Sequence, residues 1–332
     1  MQARQIFFPR KGEVEFEVVE LPEVGDDQVL VEALCSVISP GTELAWLHAL
    51  PNTPGEFPIR IAYCSCGRVV QKGKEVRQFT VGQMVVYQAL HATAQVMDRD
   101  KVIAVPEGVL PEEAAALPLV GIALQGIRKS QVTIGESVAV LGLGLIGNLA
   151  GQLAHICGAI YLVGIDPDPW RRELALSCGF DAAVASVEEA QRGGDPQLEE
   201  AGLFEVVIEA AGVPEAVVQA FELASPFGRV ILLGSIRGRT EQVDFYTTVH
   251  RKGLTVIGAH NARRPQQDEM FGVKTMRTDM RLAMSLLAGG RIKVGPMISD
   301  RVSAEEASKA YQRLWSRREK LVTIALDWSR IS

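Results

Sequence analysis

The chain of 332 residues contains no uninterrupted apolar run of membrane-spanning length and no cluster of basic residues. Its formal net charge is −6, and no aromatic motif typical of RNA-binding domains occurs. We therefore expect neither a membrane nor a nucleic acid among its partners. The composition, with 47% hydrophobic and 22% charged residues, is typical of a soluble globular protein, and the length allows two domains.

Cysteine is scarce and scattered, at Cys35, Cys64, Cys66, Cys157 and Cys178. The odd number and irregular spacing argue against a disulfide framework and indicate reduced thiols. The N-terminal segment MQARQIFFPRKGEVEF lacks the apolar core of a signal peptide and alternates as a strand does. Together these features predict a cytoplasmic enzyme.

The most informative segment spans residues 137–166 and reads SVAVLGLGLIGNLAGQLAHICGAIYLVGID. It contains an apolar run, a turn with three glycines, a helical stretch of small residues and a second apolar run that ends in an acid. This order is typical of a βαβ unit that binds a dinucleotide. A Rossmann-like fold without a cofactor is the alternative interpretation.

The three glycines of the turn have separate predicted roles. Gly142 allows the tight turn after the strand, Gly144 lets the backbone approach a pyrophosphate, and Gly147 lets the helix pack against the strand. The helix begins at Leu145 and Ile146, where free N–H groups and the positive end of the helix dipole would bind the phosphates.

Asp166 follows Gly147 by 19 residues, at the end of the second predicted strand. A carboxylate there accepts hydrogen bonds from a ribose diol and repels a 2′-phosphate, which predicts NAD rather than NADP. Arg171 and Arg172 keep NADP open as an alternative, because they could reach a 2′-phosphate. We favour a solvated helix start for this pair, and we keep Arg171 as a candidate cofactor contact.

The chain changes pattern near its middle. Residues 1–110 are β-rich, with strand-like runs separated by turn residues, whereas from Ser137 onward strands alternate with helices, which predicts parallel βαβ units. The predicted strands there are Val138–Leu141, Tyr161–Ile165, Val206–Glu209, Arg229–Leu233 and Leu254–Ile257. The predicted helices are 111–128, 145–157, 169–177, 214–224, 279–288 and 304–315. A strand at Leu321–Asp327 predicts that the tail rejoins the first domain.

The order of these parts resembles the medium-chain dehydrogenase/reductase superfamily over nearly the whole chain. The resemblance rests on the following segments: Val132–Glu136, GLGLIG at 142–147, EAAG at 209–212, FGRVILLG at 227–234, and LVTI at 321–324. It implies an α/β protein with a GroES-like β-rich catalytic domain (1–120 and 280–332) and a Rossmann doubly wound parallel sheet (121–279). It further implies hydride transfer to or from a nicotinamide ring, a substrate in the cleft between the domains, and a homodimer.

The same resemblance implies cofactor contacts after the fourth and fifth Rossmann strands. These are Ala211, Gly212, Gly234 and Ser235, where the backbone approaches the cofactor in the family pattern. Simple loop glycines are the alternative.

The departures from the family pattern concern the metal. Zinc-containing members have a cysteine in one segment and a Gly-His-Glu motif in another. Here Ser39 stands in the cysteine position, Tyr63 in the histidine position and Cys64 in the glutamate position. A hydroxyl and a phenol do not replace thiolate and imidazole, so we predict no zinc. A metal pair at Cys64 and Cys66 is the alternative, and buried thiols are favoured over it. The combination resembles the zinc-lacking branch that includes bacteriochlorophyllide dehydrogenase-like proteins.

Candidate catalytic residues follow from these two segments. Tyr63 would donate a proton or stabilise an oxyanion, or it is a structural tyrosine. Ser39 and Thr42 would bond a substrate oxygen or the nicotinamide ribose, with turn stabilisation as the alternative. Glu43 would be a general base or a carboxylate at a solvated helix start. His48 would be catalytic or, as we favour, structural.

Three further residues are candidates for the same cleft. His91 follows a strand-like stretch and would line it. Arg263 and Arg264 would suit an anionic substrate, although we favour a solvated loop for them.

The sequence thus predicts a metal-independent oxidoreductase that transfers a hydride between NAD(H) and a small-molecule alcohol/carbonyl or activated alkene. One alternative is an NADPH-dependent quinone or enoyl reductase, and another is a nucleotide-binding protein without catalysis.

Overall fold

The computed structural model describes residues 1–193, 203–241, 243–265, 267, 269–270, 272–329 and 331. The strands among them are β1 (Gln2–Phe7), β2 (Glu15–Glu20), β3 (Gln28–Val37), β4 (Ser65–Lys72), β5 (Met84–Tyr87), β6 (Ala94–Asp98), β7 (Val102–Ala104), β8 (Ser137–Leu141), β9 (Tyr161–Ile165), β10 (Ala182–Val184), β11 (Phe204–Glu209), β12 (Ala224–Leu232), β13 (Thr255–Gly258), β14 (Ile298–Ser303) and β15 (Thr323–Asp327). The α-helices are α1 (Ala45–Leu47), α2 (Pro111–Ala115), α3 (Leu117–Ser130), α4 (Leu145–Cys157), α5 (Pro169–Ser177), α6 (Val187–Arg192), α7 (Pro214–Leu223), α8 (Met276–Ala288) and α9 (Ala307–Ser316).

The chain divides into two compact units. The first unit contains Met1–Leu119, Met280–Gly290 and Val294–Ser332, and the second contains Val120–Asp279 and Arg291–Lys293. In the part of the chain that the structure describes, no helix has the length and apolarity needed to cross a bilayer.

The first unit is built on a seven-stranded mixed sheet. Its order is β14-β15-β3-β4-β5-β7, with β6 paired to β3, and β1 and β2 form a separate antiparallel pair. Strand β15 runs antiparallel to β3, with Ala325 opposite Val37. The prediction that the tail rejoins the first domain is therefore confirmed. This pairing brings residues from both ends of the chain beside the end of β3.

The second unit is a six-stranded parallel sheet in the order β10-β9-β8-β11-β12-β13. The central strand β8 is buried along its whole length, which explains why Ser137–Leu141 is a continuous apolar run rather than an alternating one. The five strands that the sequence predicts here are confirmed as β8, β9, β11, β12 and β13. The α/β fold class, with one β-rich unit and one Rossmann doubly wound sheet, is likewise confirmed.

The prediction of one continuous helix over residues 111–128 is wrong. Residues 111–128 form two helices, α2 and α3, with a break at Ala116. Pro118 explains the break, because it has no N–H to donate to the carbonyl of Ala114 and its ring would clash with that carbonyl.

Candidate active site

The glycine turn between β8 and α4 is shaped by close backbone approach. Gly142 has a φ of 89°, and a Cβ atom there would lie 2.6 Å from the Cα atom of Ala211. A Cβ atom on Gly147 would overlap the carbonyl oxygen of Gly142. Both positions therefore exclude a side chain, one to allow the turn and the other to let α4 pack against it.

Gly144 differs from the other two glycines, because its Cβ position meets open space. No described atom lies within 4 Å of it, and its φ of −67° is accessible to any residue. Gly144 is the N-cap of α4 and has no side-chain cap, so the N–H groups of Leu145 and Ile146 have no intrahelical partner. An open backbone beside free N–H groups suits an anionic phosphate. Cofactor binding by these residues stays a prediction.

Asp166 links the glycine turn to the loop after β9. Its side chain is buried, Oδ2 accepts the N–H of Leu143 at 2.9 Å, and Oδ1 accepts the N–H of Asp168 at 3.0 Å. Each carboxylate oxygen keeps a second lone pair, so the group can still accept a hydrogen bond from a ribose hydroxyl.

Arg171 and Arg172 lie in the first turn of α5 (Pro169–Ser177), where both are partly exposed. Arg172 donates to the carbonyl oxygens of Asp166 and Pro167, at 2.8 and 2.9 Å. Arg171 lies 3.6 Å from Asp166 Oδ2 and has 30% of its side chain exposed. Both guanidinium groups thus lie against carbonyl or carboxylate oxygens just after β9, where electrostatic attraction holds them.

The loops after β11 and β12 pack against each other. Gly212, with a φ of 72°, donates its N–H to Glu209 Oε1 at 2.7 Å, and a Cβ atom there would lie 3.0 Å from the carbonyl oxygen of Ser235. A Cβ atom on Gly234 would lie 2.8 Å from Glu209 Oε2. Ala211 and Ser235 are exposed. The two glycines thus satisfy a packing requirement whether or not a cofactor is bound.

Glu209 was not recognised as important from the sequence. Its carboxyl group is fully buried at the end of β11, and Oε2 has no hydrogen-bond partner among the described residues. Burial raises the pKa of Glu209, and the N–H groups of Gly212 and Ala211 lower it in part. An apolar run that ends in an acid was the available signal, as it was for Asp166.

Three hydroxyl groups meet in the first unit. The Tyr63 hydroxyl lies 2.5 Å from Ser39 Oγ and donates to Thr42 Oγ1 at 3.2 Å. Each hydroxyl has one proton, so Ser39 donates to Tyr63 when Tyr63 donates to Thr42. Burial raises the pKa of the Tyr63 phenol, and the nearby Cys64 raises it further. Tyr63 is therefore protonated at neutral pH and suited to act as a hydrogen-bond donor.

Glu43 is not on a solvated helix start, so that alternative is wrong. It belongs to a π-helical turn, Pro40–Leu44, and is 0% exposed. Its Oε1 accepts the backbone N–H of Ser39 at 2.7 Å, while Oε2 contacts His91 Nε2 at 3.0 Å and accepts the Tyr311 hydroxyl. Three donors compensate the buried charge, which leaves Glu43 poorly placed to collect a proton from a substrate.

His48 lies apart from this cluster. Its ring stacks on Trp315, with centroids 3.7 Å apart and an interplanar angle of 18°. Burial lowers the pKa of His48, with a further contribution from Lys11. Within the described residues its side chain makes no hydrogen bond to Ser39 or Tyr63. The structure therefore does not bring His48 together with the other candidates.

Known proteins resemble the chain along its length. A family model described as zinc-binding dehydrogenase matches residues 146–275. The L-threonine 3-dehydrogenase of Bacillus licheniformis is 26% identical over 342 residues, covering 92% of this chain and 93% of that protein. A Sinorhizobium meliloti 1021 protein described as a zinc-binding dehydrogenase, bound to NADP, aligns with a TM-score of 0.81 at 24% identity. Galactitol-1-phosphate dehydrogenase from Escherichia coli aligns with a TM-score of 0.82 at 22% identity. Both structural alignments cover 98% of this chain and 99% of the other.

These similarities support the medium-chain dehydrogenase/reductase superfamily, which the sequence resembles, as the family of this chain. The chain is accordingly an enzyme of the oxidoreductase class, which sets aside the alternative of a nucleotide-binding protein without catalysis.

The side chains at the positions of the family's zinc ligands do not fit a catalytic zinc ion. Such a site needs three converging protein ligands. Ser39 and Tyr63 are hydrogen-bonded to each other, and burial together with Glu43 raises the pKa of the Cys64 thiol, which opposes the thiolate that zinc requires. Among the described residues, no three His, Cys, Asp or Glu side chains are placed to hold an ion.

The alternative of a metal pair at Cys64 and Cys66 meets the same difficulty. Cys66 is fully buried opposite Cys35 in the sheet register, and burial raises its pKa to about 12. All of these thiols are free. These buried, protonated thiols therefore do not fit a metal ion either.

Two residues were underestimated from the sequence. The sequence predicts no role for Tyr311, because no local signal connects it to Glu43, which lies 268 positions away. Arg264 was expected in a solvated loop, which is wrong. It is buried, with Nη1 2.6 Å from Asp279 Oδ2 and Nη2 donating to the carbonyl of Gly121. The ion pair with the buried Asp279 stabilises Arg264 in this buried position.

Proposed function

We propose that this enzyme transfers a hydride between NAD(H) and a small-molecule alcohol/carbonyl or activated alkene, without a metal ion. The observation that carries the proposal is the chain of three hydroxyls formed by Ser39, Tyr63 and Thr42. By family resemblance, Ser39 and Tyr63 stand where zinc-containing members have ligands. A reaction that generates an alkoxide or enolate needs a donor at that oxygen, and hydroxyl groups supply it here.

The residues at the end of β8 and β9 fit a nicotinamide dinucleotide. When bound, the cofactor accepts or supplies the hydride. The open backbone at Gly144 and the N–H groups of Leu145 and Ile146 would hold its pyrophosphate. Asp166 would accept a ribose hydroxyl and repel a 2′-phosphate, which supports NAD over NADP.

Tyr63 would move the proton. In carbonyl reduction, the carbonyl carbon gains the hydride and the oxygen gains the Tyr63 proton. The Tyr63 oxygen is then reprotonated through Ser39, which takes a replacement proton from bulk water, or through Thr42 in the same way when the hydroxyl chain runs in the other direction. Because burial raises the pKa of Tyr63, the phenol stays protonated near neutral pH, and we propose that it donates its proton in the reduction direction.

The proposal specifies the substrate only as a small-molecule alcohol/carbonyl or activated alkene. The similar proteins named above act, by their names, on threonine and on galactitol 1-phosphate, and their different chemistry supports a small-molecule substrate without selecting one. We also propose membership of the zinc-lacking branch, supported by the replacement of metal ligands at Ser39 and Tyr63.

The enzyme is proposed to be a cytoplasmic homodimer. Strand β13 ends the order of the parallel sheet, and Val256 on it is 39% exposed. Phe227 and Phe245 in the same unit are also exposed. An unpaired edge beside apolar side chains supports pairing with a second copy. The free cysteines are compatible with a reducing compartment.

The test combines metal analysis with turnover. Protein purified with a chelator is assayed for NADH oxidation with a panel of small aldehydes, ketones and enones. We expect turnover with far less than one metal ion per chain. Tyr63→Phe should lower kcat by about 10²- to 10⁴-fold, the usual contribution of a general acid. Tyr246→Phe, at an exposed tyrosine, is the matched control and should leave kcat unchanged.

One stoichiometric zinc ion per chain, required for turnover, would contradict the metal-independent proposal. Unchanged turnover in Tyr63→Phe would remove Tyr63 from the proton path.

One observation favours a second candidate, an NADPH-dependent quinone or enoyl reductase. Among the described residues, the Nε atom of Arg171 is buried without a hydrogen-bond partner, and its Nη1 atom is 3.6 Å from Asp166 Oδ2. This loosely held guanidinium is a donor for a 2′-phosphate. Preference for NADPH over NADH in the same assay selects this candidate.

A further inference from the structure

The buried carboxylate of Glu43, in the first unit, takes no part in the proton path proposed for Tyr63. Its Oε1 holds the backbone N–H of Ser39, and its Oε2 holds His91 and Tyr311. Burial and the charge of Glu43 raise the pKa of Tyr311, so that hydroxyl remains a donor. With all three donors in place, the carboxylate has one orientation, and that orientation sets the position of the Ser39 backbone.

The same short segment is held at two other points. His91 Nδ1 lies 2.8 Å from Ser36 Oγ, and the Trp328 indole donates to the same oxygen at 2.7 Å. Thr323 donates its hydroxyl to the carbonyl oxygen of Ile38 at 2.5 Å. The end of β3, from Ser36 to Ser39, is thus anchored by side chains from distant parts of the sequence.

The hydrogen-bond directions assign the protons of this network. An indole N–H can only donate, so Ser36 accepts from Trp328, and its own proton is available to be donated to His91 Nδ1. His91 then carries its proton on Nε2, facing the Glu43 carboxylate. In this arrangement every polar side-chain atom of Ser36, His91 and Glu43 has a partner.

We propose that His91 is a positioning residue for the reaction: through Glu43 it fixes the backbone at Ser39 and so aligns the Ser39 hydroxyl with that of Tyr63. This role rests on the function proposed above, in which Tyr63 donates the proton. The contact between Ser39 and Tyr63 is short, at 2.5 Å, so a small displacement of the Ser39 backbone changes it substantially.

A pair of variants separates the two nitrogens of His91. In His91→Gln the amide nitrogen replaces Nε2 and retains the donor to Glu43, while the bond to Ser36 is lost. In His91→Asn the amide replaces Nδ1 and retains Ser36, while Glu43 loses a donor. A purely structural histidine would be affected alike by both, because both remove one hydrogen bond and part of a buried ring.

The first readout needs no substrate. The chain has five tyrosines, so tyrosine labelled with ¹³C at Cζ gives few signals, and Tyr63→Phe assigns that of Tyr63. We expect the Tyr63 signal to move in His91→Asn and to stay near its original position in His91→Gln. The second readout is turnover of the best carbonyl from the panel. Here kcat should fall about 10- to 100-fold in His91→Asn, with KM nearly unchanged, and should recover in His91→Gln.

Tyr311→Phe provides a variant that is easier to fold. It removes one donor to Glu43 but keeps the ring that packs edge-to-face on Phe8, with centroids 5.4 Å apart. We expect a Tyr63 signal displaced in the same direction as in His91→Asn. Tyr246→Phe again serves as the control.

Equal displacement in both His91 variants, or an unmoved Tyr63 signal in folded His91→Asn and Tyr311→Phe, would overturn the positioning role. A failure of the proposed function gives a different result: the wild-type protein turns over no carbonyl, while the tyrosine signals still respond to the variants.

Discussion

The carboxylate of Asp166 accepts the backbone N–H of Leu143 at 2.9 Å, although 23 residues separate them. This bond ties the end of β9 to the middle of the glycine turn, so the group proposed to recognise the ribose also supports the turn proposed to bind the pyrophosphate. Its second oxygen accepts the N–H of Asp168. A change at Asp166 should therefore affect both cofactor choice and the geometry of the turn.

The first prediction concerns cofactor preference. Asp166→Asn removes the negative charge and turns one acceptor into a donor that faces a backbone N–H. We expect NADH to bind about tenfold more weakly, equivalent to about 1.4 kcal/mol, while the affinity for NADPH rises because the repulsion of a 2′-phosphate is gone. Fluorescence titration with both cofactors measures this. Arg171→Ala is the companion variant and should weaken NADPH more than NADH. An unchanged NADH/NADPH ratio in Asp166→Asn would remove the specificity role.

The second prediction separates two glycines of one motif. Gly144→Ala should fold normally, because its Cβ meets open space, but it should bind NADH at least about tenfold more weakly if a pyrophosphate lies against it. Gly147→Ala should destabilise the fold by about 1–3 kcal/mol, because its Cβ overlaps the carbonyl of Gly142. Thermal unfolding and NADH titration of both variants provide the comparison. Wild-type NADH affinity in Gly144→Ala is incompatible with the proposed pyrophosphate position.

The third prediction concerns pH and Glu209. Burial raises the pKa of Glu209 in the folded state above its ordinary value of 4.5. The folded state therefore retains a proton that the unfolded chain releases, and stability falls as pH rises from about 4.5 to the folded-state pKa. Glu209→Gln removes this titration and should be more stable than wild type at neutral pH, with the difference shrinking below pH 4.5. Urea unfolding at several pH values measures it. A difference that is independent of pH would show that the carboxyl group is not responsible.

The fourth prediction concerns the buried ion pair in the second unit. Arg264→Ala leaves the fully buried Asp279 with Arg128 as its charged partner and should destabilise the protein by about 3 kcal/mol. The matched control is Arg313→Ala, whose ion pairs with Asp300 and Glu319 are partly exposed and should contribute less than about 1 kcal/mol. Urea unfolding compares the two. Equal losses would contradict the importance of burial for this pair.

Much of the second unit was predictable because its signals are local. A continuous apolar run such as Ser137–Leu141 reports a strand buried on both faces, and the spacing of Gly142, Gly144 and Gly147 reports a turn that only a few backbone geometries satisfy. The order of such segments led to the superfamily. The break at Ala116 was also predictable, because Pro118 causes it, but the helical periodicity of residues 111–128 by itself indicates one continuous helix.

The sequence by itself determined the α/β class and the dinucleotide-type turn, because each depends on residues close together in the chain. The replacement of metal ligands by Ser39 and Tyr63 is a prediction that the family resemblance implies. Tertiary structure alone decided that Glu43 is buried, that His91 and Tyr311 satisfy it, and that His48 stands apart on Trp315. These outcomes depend on which strands pair and in what register, and no local period encodes a contact between residues 268 positions apart.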